Sequence, residues 1–199
     1  MKTNENSTEN YWDERYKDKQ TGWDLNQVSP PLKEFINTFT NKGLKILIPG
    51  CGNAYEAEYM LNKGFSNVTL IDIAPTLVNK LKEKFAGKSI TILNEDFFTH
   101  IAKYDIILEQ TFFCAIPTTM RRAYVDKCYN LLNDGGRIVG LLFNIIFEKE
   151  GPPYGGTKAE YQALFEPEFI LNQFDTCKNS IPPRQGNELF IDFMKKQAE

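Results

Sequence analysis

The chain has 199 residues, 42% of them hydrophobic and 25% charged, which is typical of one globular domain with a sizeable core. Its 23 lysines and arginines against 26 aspartates and glutamates give a net charge of −3, so we expect no nucleic-acid partner. One histidine and four widely spaced cysteines do not form a zinc-binding pattern, and we expect no metal. Small molecules are the expected partners, and a monomer is the expected state.

The N-terminus has no feature of a targeting signal. Residues 1–8 are polar and expected to be disordered, and no apolar stretch of a signal peptide follows them. The most apolar run, residues 138–146, is too short to span a bilayer. A cytoplasmic location without membrane attachment is predicted.

Two helices are predicted before the first strand. Aromatic residues within residues 10–19 recur at nearly helical spacing, which predicts a short amphipathic helix, and a loop follows at residues 21–24. Ser29 is predicted to cap a second helix that Gly43 ends. The side chains of this helix that we expect to face the core are Leu32, Phe35, Ile36 and Phe39.

From residue 44 onward, predicted strands and helices alternate. Strands are predicted at residues 44–48, 67–71, 90–93, 104–109 and 137–146, and helices at residues 55–63, 75–85 and 118–132. This alternation is typical of a parallel sheet with helices on both faces. His100 is expected on a surface loop.

The C-terminal part has a different pattern. A helix predicted near residues 157–164 is followed by two strand-like runs at residues 169–176 and 188–193. We expect these two runs to form an antiparallel hairpin at the sheet edge. The sequence therefore predicts an α/β fold with a seven-stranded, mostly parallel sheet.

The segment after the first predicted strand is the most informative one. An apolar run leads into Pro49-Gly50-Cys51-Gly52, and a helix is predicted to start at Tyr55. Asp72 ends the next strand about twenty residues later, the spacing seen in nucleotide-binding folds. Glycines let a ligand approach the backbone closely, and a carboxylate at this distance can accept both hydroxyls of a ribose. These features predict a nucleoside site.

Polar residues also stand at the ends of two further predicted strands. Asp96 and Phe97 follow the third strand, whereas Glu109, Gln110 and Thr111 end the fourth. In an open α/β sheet, ligands bind outside the carboxyl ends of the strands where the strand order reverses. We therefore expect these residues to lie around one crevice.

Two nucleoside cofactors could occupy such a crevice, a nicotinamide dinucleotide or S-adenosylmethionine. A pyrophosphate favours the full Gly-x-Gly-x-x-Gly pattern, but Tyr55 stands at the third glycine position. Glu56 would repel a pyrophosphate and can hold the ammonium of an amino acid. The residues favour S-adenosylmethionine.

Five motifs within residues 11–154 carry a resemblance to a known family that runs over about residues 11–193. They are Tyr11-Trp12-Asp13-Glu14-Arg15-Tyr16 with Thr21-Gly22-Trp23-Asp24, Ile48-Pro49-Gly50-Cys51-Gly52, Ile71-Asp72-Ile73, Thr111-Phe112-Phe113-Cys114-Ala115-Ile116, and Gly151-Pro152-Pro153-Tyr154. With these motifs the chain resembles the thiopurine S-methyltransferase superfamily, and most closely its halide/thiol methyltransferase branch. The resemblance implies a Rossmann-like class I methyltransferase fold in one domain. Residues 1–40 would form an N-terminal helical lid with its leading helices, and residues 44–199 the core.

The resemblance also implies an activity and a set of site residues. The activity is transfer of a methyl group from S-adenosylmethionine to a small soft nucleophile, which is a thiol, hydrosulfide or a halide. The cofactor would be touched by Trp12, Tyr16, Trp23, Gly50, Gly52, Asp72, Asp96, Phe97 and Gln110. The acceptor side would be lined by Gln110, Arg184 and Tyr154.

Two departures from the family pattern affect the acceptor side. Tyr16 stands where relatives often have tryptophan, and Gln110 where halide-methylating relatives often have tyrosine. The acceptor therefore stays open among thiols, hydrosulfide, halides, metalloid oxyanions and thiopurine-like compounds. A non-catalytic S-adenosylmethionine-binding module and a nicotinamide-dependent oxidoreductase are the alternative functions.

Overall fold

The structure is a computed structural model that describes residues 8–197, which contain six α-helices and one seven-stranded sheet. The helices are α1 (Thr8–Lys17), α2 (Pro30–Asn37), α3 (Tyr55–Asn62), α4 (Pro75–Lys84), α5 (Arg121–Leu131) and α6 (Lys158–Phe165). The strands are β1 (Ile46–Pro49), β2 (Val68–Asp72), β3 (Ile90–Asn94), β4 (Tyr104–Gln110), β5 (Leu132–Phe143), β6 (Phe169–Thr176) and β7 (Glu188–Lys195). Short 3-10 turns lie at Thr118–Met120 and Pro182–Arg184.

The strand order is β3-β2-β1-β4-β5-β7-β6. The first five strands run parallel to one another, whereas β7 is antiparallel to both β5 and β6. The order reverses between β1 and β4, which is where open α/β sheets bind ligands. The predicted mostly parallel sheet with an antiparallel C-terminal hairpin is confirmed.

The sheet has a hydrophobic cluster on each of its two faces. Side chains along a strand alternate between these faces. In β1, whose residues are all buried, Ile46 and Ile48 belong to one hydrophobic cluster and Leu47 to a second one. The first cluster includes Leu32, Met60 and Leu77 from α2, α3 and α4. The second cluster contains residues of α5 and α6.

Three local predictions need correction. Residues 1–7 of the segment expected to be disordered lie outside the described residues, but Thr8 already belongs to α1. The α2 helix ends at Asn37 rather than at Gly43, because the backbone N–H and the hydroxyl of Thr38 both donate to the Phe35 carbonyl and close the last turn. Ser29 stands at the N-cap position of α2, but its side chain makes no capping hydrogen bond.

Two further predictions concern the second half of the sheet and its loops. Residues 133–136 lie between a predicted helix and a predicted strand, but in the structure they belong to β5. They form an irregularity in its pairing with β4, since Tyr104 pairs with Leu132 but Ile106 pairs with Arg137. His100, expected on a surface loop, is buried and lies 2.8 Å from the Tyr104 hydroxyl and 3.2 Å from a Glu95 carboxylate oxygen. Within residues 8–197, no helix combines the length and the apolar character that crossing a bilayer requires.

Candidate active site

The loop between β1 and α3 has an unusual backbone that glycine makes possible. Gly50 and Gly52 have φ angles of +53° and +51°, in the region that side-chain-bearing residues rarely adopt. A Cβ at Gly50 would overlap the ring of Phe112, which stands at the end of β4. The loop after β1 and the turn after β4 therefore pack directly against each other at the point where the strand order reverses.

Asp72 lies at the end of β2 next to this loop. Its carboxylate accepts a 3.0 Å hydrogen bond from the backbone N–H of Ala74, and the Gly52 and Ile73 N–H groups also favour its charged form. Burial outweighs these donors and raises the pKa of Asp72 to about 6. A carboxylate held this way keeps acceptor capacity for a ligand hydroxyl.

The N-terminal segment lies over the same region, and we call residues 8–28 the lid segment. Trp23 contacts the rings of Trp12 and Tyr16 edge to face, at centroid distances of 5.4 and 5.8 Å. Tyr16 is buried, and its hydroxyl would be 3.7 Å from a Cβ placed on Gly52. The structure thus brings all three predicted lid aromatics together, with Trp23 in contact with the other two.

Hydrogen bonds fix the lid segment at both of its ends. In α1, the buried Asp13 accepts a 2.7 Å hydrogen bond from the N–H of Thr76 in the first turn of α4. In the following loop, Asp24 accepts from the side chains of Asn53 and Tyr55, which flank the start of α3. Neither Asp24 nor Asn53 was predicted as a site residue, because such contacts between distant segments leave no local pattern.

Glu56 is a buried carboxylate on the first turn of α3. It accepts a 2.9 Å hydrogen bond from the backbone N–H of Ser29. Glu56 thus binds the N-cap residue of α2. Burial raises the pKa of Glu56, whereas this hydrogen bond opposes the rise. The residue lines the cavity under the lid segment, as expected for a group that holds a ligand ammonium.

Gln110 ends β4 with an unpaired side chain. Neither the Oε1 nor the Nε2 atom of Gln110 has a hydrogen-bond partner within residues 8–197, although both atoms are shielded from solvent. A buried amide without partners costs free energy, on the order of 1–3 kcal/mol for each unsatisfied group. A ligand that both donates to and accepts from this amide would remove that cost.

Glu109, one residue earlier, was not predicted as a functional residue. It is fully buried and accepts hydrogen bonds from the N–H groups of Phe112 and Phe113, at 2.7 and 2.8 Å, and from the hydroxyl of Tyr124 at 2.7 Å. Burial raises the pKa of Glu109 to about 7. Glu109 holds the turn at Thr111, a non-glycine residue with a φ of +65°.

The predicted acceptor-side residues are held by the C-terminal half. The Nη2 atom of Arg184 donates a 2.9 Å hydrogen bond to the Trp23 carbonyl. Its Nη1 atom donates a 3.3 Å hydrogen bond to the Glu188 carboxylate. Tyr154 donates its backbone N–H to the Cys114 carbonyl at 2.7 Å, and its own carbonyl accepts from Arg121. Arg184 is therefore bound to the lid segment, a position that the sequence did not reveal.

Asp96 and Phe97 follow β3 as predicted, but their side chains face different surroundings. Asp96 is exposed and accepts a 2.9 Å hydrogen bond from the N–H of Phe98. The Phe97 ring is buried in the second cluster, where it stacks on Tyr124 at 5.5 Å. Neither residue is part of the lining of the cavity under the lid segment.

A cavity of about 50 Å³ remains between the lid segment and the strand ends. Its lining includes Trp23, Gly50, Gly52, Glu56 and Gln110. Small-molecule sites usually measure about 300–1,000 Å³, so a nucleoside needs the lid segment to move outward. A larger cavity of about 460 Å³ lies between α6 and β6, and its lining contains none of the predicted site residues.

No group of three or more histidine, cysteine, aspartate or glutamate side chains within residues 8–197 is arranged to hold a metal ion. All four cysteines are buried and unpaired. Burial raises the pKa of Cys114 to about 12, with the charge of Glu109 adding to the rise. A thiol of this kind is a poor nucleophile.

The arrangement matches a known sequence family. Residues 7–197 match the family model described as thiopurine S-methyltransferase. The chain belongs to the thiopurine S-methyltransferase family. As a member of this family it is an S-adenosylmethionine-dependent methyltransferase, which confirms the resemblance seen in its motifs.

Named relatives in this family support the same class of chemistry. A probable thiol methyltransferase 2 of Arabidopsis thaliana is 32% identical over 184 residues, which cover 89% of this chain and 81% of the relative. Thiocyanate methyltransferase 1 of Brassica oleracea is 28% identical, with the same coverage of 89% and 81%.

A solved structure shows the same fold. The 1,6-didemethyltoxoflavin-N1-methyltransferase of Burkholderia thailandensis, solved with 1,6-didemethyltoxoflavin and S-adenosylhomocysteine, superposes with a TM-score of 0.74. It is 17% identical, and the match covers 94% of this chain and 86% of that chain. The predicted class I methyltransferase fold is confirmed.

The residues of the site fit the cofactor of the family. S-adenosylmethionine presents an ammonium group, a ribose diol and a positively charged sulfur. Glu56 and Asp72 offer buried carboxylates, and the loop at Gly50 and Gly52 has no Cβ that would block a close approach. The lid aromatics offer ring faces, which attract cations.

Proposed function

We propose that this methyltransferase transfers a methyl group to a small soft nucleophile, a thiol, hydrosulfide or a halide, in the crevice under the lid segment. The donor half of the site is formed by Gly50 and Gly52 beside the methionine part, Glu56 at the ammonium and Asp72 at the ribose. Asp96 and the backbone of Phe97 border the adenine. Trp12, Tyr16 and Trp23 cover the cofactor.

When bound, S-adenosylmethionine supplies an electrophilic methyl group on its positively charged sulfur. The chain's own residues contribute alignment, because holding donor and acceptor at about 3–3.5 Å accounts for a large part of the rate in such displacements. Trp12 and Trp23 exclude water, which removes the hydration shell of an anionic acceptor. Their faces attract the positive sulfur without competing as nucleophiles.

The single observation that carries the acceptor assignment is the unpaired amide of Gln110. Its Nε2 can donate to a soft anion, and its Oε1 can accept from a hydrogen on the same acceptor. An acceptor with both features, such as hydrosulfide, would pair both ends of the amide. A halide pairs only the donor end, so we rank it below hydrosulfide.

The proposal needs no general base at the acceptor. Glu109, the buried acid next to Gln110, is already engaged, since it accepts three hydrogen bonds. A free thiol has a pKa of about 8.5, so a few per cent of it is ionised at neutral pH. Soft sulfur and halide anions are therefore the acceptors that this site can use without proton transfer.

A screen of acceptors tests the proposal. The formation of S-adenosylhomocysteine would be followed with hydrosulfide, an alkyl thiol, a heteroaromatic thiol, iodide and a metalloid oxyanion. We expect turnover with the sulfur acceptors and less with iodide. Replacement of Gln110 by leucine should lower the preference for hydrosulfide over iodide. Binding of S-adenosylhomocysteine with no turnover of any acceptor would instead favour a non-catalytic module.

The other expectations remain predictions. A monomeric state, a cytoplasmic location and the absence of a nucleic-acid partner are expected from composition and pattern. The division into a lid region and a core is expected from the family resemblance. Measurement of the molar mass in solution would test the first of these.

A further inference from the structure

Arg184 connects the lid segment to the C-terminal part of the sheet. Its guanidinium donates to the main-chain carbonyl of Trp23 at 2.9 Å, across 161 residues of sequence. The other terminal nitrogen lies 3.3 Å from the carboxylate of Glu188, the first residue of β7. The guanidinium carbon also stands 5.3 Å from the centre of the Phe143 ring.

These contacts leave Arg184 little freedom. Its side chain is only 11% exposed and that of Glu188 is 3% exposed, so the ion pair is shielded from water. Hydrogen bonds that involve a charged group are about twice as strong as neutral ones. The bond to the Trp23 carbonyl is therefore a strong attachment for the loop that carries Trp23.

The same loop is also bound to the segment that contains Asn53 and the start of α3. Asp24, the residue after Trp23, accepts hydrogen bonds from Asn53 and Tyr55. Two adjacent lid residues are thus bound to two different parts of the core. Because the cavity beneath them measures only about 50 Å³, the lid segment must release at least one of these attachments before a nucleoside enters.

We propose that Arg184 is a positioning residue that clamps the lid segment closed through the Trp23 carbonyl, rather than a direct ligand of the acceptor. Glu188 and Phe143 hold the guanidinium in place for this contact. The clamp holds the indole rings over the donor site during turnover and slows the release of the cofactor product. This inference rests on the proposed donor site for its catalytic consequence, but not for the clamp itself.

The chain offers a closely matched control. Arg137 in β5 lies 2.8 Å from Asp192 in β7, and its guanidinium carbon stands 5.6 Å from the ring of Phe35. Like Arg184, it thus pairs with a carboxylate of β7 and contacts an aromatic ring. Unlike Arg184, it makes no hydrogen bond to the lid segment. Arg184→Gln and Arg137→Gln each remove an ion pair with a β7 carboxylate and a ring contact, but only Arg184→Gln also removes a hydrogen bond to the lid segment.

The first measurement uses the protein without any ligand. Trp12 and Trp23 are the two tryptophans of the chain, and both lie in the lid segment, so tryptophan fluorescence, excited where the tyrosines do not absorb, reports on it alone. We expect Arg184→Gln to increase acrylamide quenching and to speed amide hydrogen exchange in residues 19–27 by about tenfold, the factor for one lost charged hydrogen bond. Arg137→Gln should change neither. Equal responses of the two variants, or no response, would overturn the clamp.

The second measurement separates a clamp from an acceptor ligand. With S-adenosylhomocysteine as the probe, Arg184→Gln should release it about tenfold faster than the parent protein does, whereas Arg184→Lys should recover part of the difference. If Arg184 instead contacts the acceptor, the variant would raise KM for the acceptor and leave product dissociation unchanged. Failure of the parent protein to bind S-adenosylhomocysteine would refute the donor site, while the ligand-free result would still decide the clamp.

Discussion

The hydroxyl of Tyr124 donates a 2.7 Å hydrogen bond to the carboxylate of Glu109, and neither side chain is exposed to solvent. The second carboxylate oxygen accepts from two backbone N–H groups in the turn after β4. One buried acid thus fixes the turn whose Phe112 ring packs against Gly50. The donor loop and the acceptor-side turn share this support.

Glu109 should make the stability of the protein depend on pH. Burial raises its pKa from an ordinary value of 4.5 to about 7, so the folded state holds the proton more tightly than the unfolded state does. Its contribution is therefore fully present below pH 4.5 and is lost as the pH rises through about 7. We expect the parent protein to lose roughly 1–3 kcal/mol relative to Glu109→Gln between these limits.

Urea unfolding of both proteins at several pH values measures this difference. Asp72 titrates in both proteins, so subtraction isolates Glu109. A difference in unfolding free energy that stays constant from pH 5 to pH 8 would contradict the assignment.

Replacement of Gly50 by alanine should be more damaging than an ordinary glycine substitution. Gly50 has both a positive φ and a site for Cβ that the Phe112 ring occupies. Overpacking of this kind costs about 1–3 kcal/mol in addition to the backbone strain. Gly64→Ala is the matched control, since Gly64 has a φ of +85° and no atom within 4 Å of the point where its Cβ would stand.

Chemical denaturation of the two variants provides the comparison. We expect Gly50→Ala to be the less stable by at least about 1 kcal/mol and to bind S-adenosylhomocysteine more weakly. Equal losses in the two variants would mean that the contact with Phe112 carries no energetic weight.

Asp72 should control cofactor affinity and its pH dependence. Its pKa of about 6 means that the carboxylate becomes a full acceptor for ribose hydroxyls as the pH rises through that value. Affinity for S-adenosylhomocysteine should therefore increase from pH 5 to pH 7 and then level off. Asp72→Ala should weaken binding by about 1–3 kcal/mol, the cost of a lost buried hydrogen-bonding partner.

Calorimetric titration of the parent protein, Asp72→Ala and Asp72→Asn would measure these effects. Asp72→Asn keeps an oxygen that can accept from the Ala74 N–H, so it preserves the turn and should abolish the pH step. An unchanged affinity in both variants would mean that the ribose binds elsewhere.

The parts of the fold that follow from local pattern were predictable from the sequence. The strand at residues 169–176 was predicted as a strand-like run that forms an antiparallel hairpin, and the structure has β6 at those bounds. The glycine loop was recognised because glycines let a ligand approach the backbone closely. The predicted start of the helix at residue 75 is also confirmed, since Pro75 stands in the first turn of α4, where proline is favoured.

Contacts between distant segments were not predictable in this way. Ser29 looked like a side-chain cap, but its backbone N–H is used by Glu56, which lies 27 residues later. Arg184 gave no sign of its bond to Trp23, and His100 gave none of its burial against Tyr104. The site residues that the sequence does predict are the glycines of the loop after β1 and the polar residues at strand ends.

Trp23 should matter for turnover more than for folding. It is only partly buried, but its ring joins Trp12 and Tyr16 over the donor site. We expect Trp23→Ala to lower kcat/KM by about tenfold or more, equivalent to about 1.4 kcal/mol of transition-state stabilisation, with little change in the unfolding midpoint. Full activity in that variant would remove the lid segment from the mechanism.

Tyr11 provides the control for this experiment. It contacts Trp12 from the exposed side at a centroid distance of 5.0 Å and is 39% exposed. Tyr11→Ala removes an aromatic ring from the lid segment without uncovering the crevice, so its activity should stay close to that of the parent protein.

The central claim is that the cofactor lies at the carboxyl ends of β1, β2 and β4, beneath the lid segment. A crystal structure determined with S-adenosylhomocysteine tests it most directly. We predict ribose hydroxyls bonded to Asp72, the amino-acid part over Gly50 and Gly52, and an indole ring of Trp12 or Trp23 beside the sulfur. Ligand density in the larger cavity between α6 and β6, with the crevice under the lid segment still closed, would contradict it.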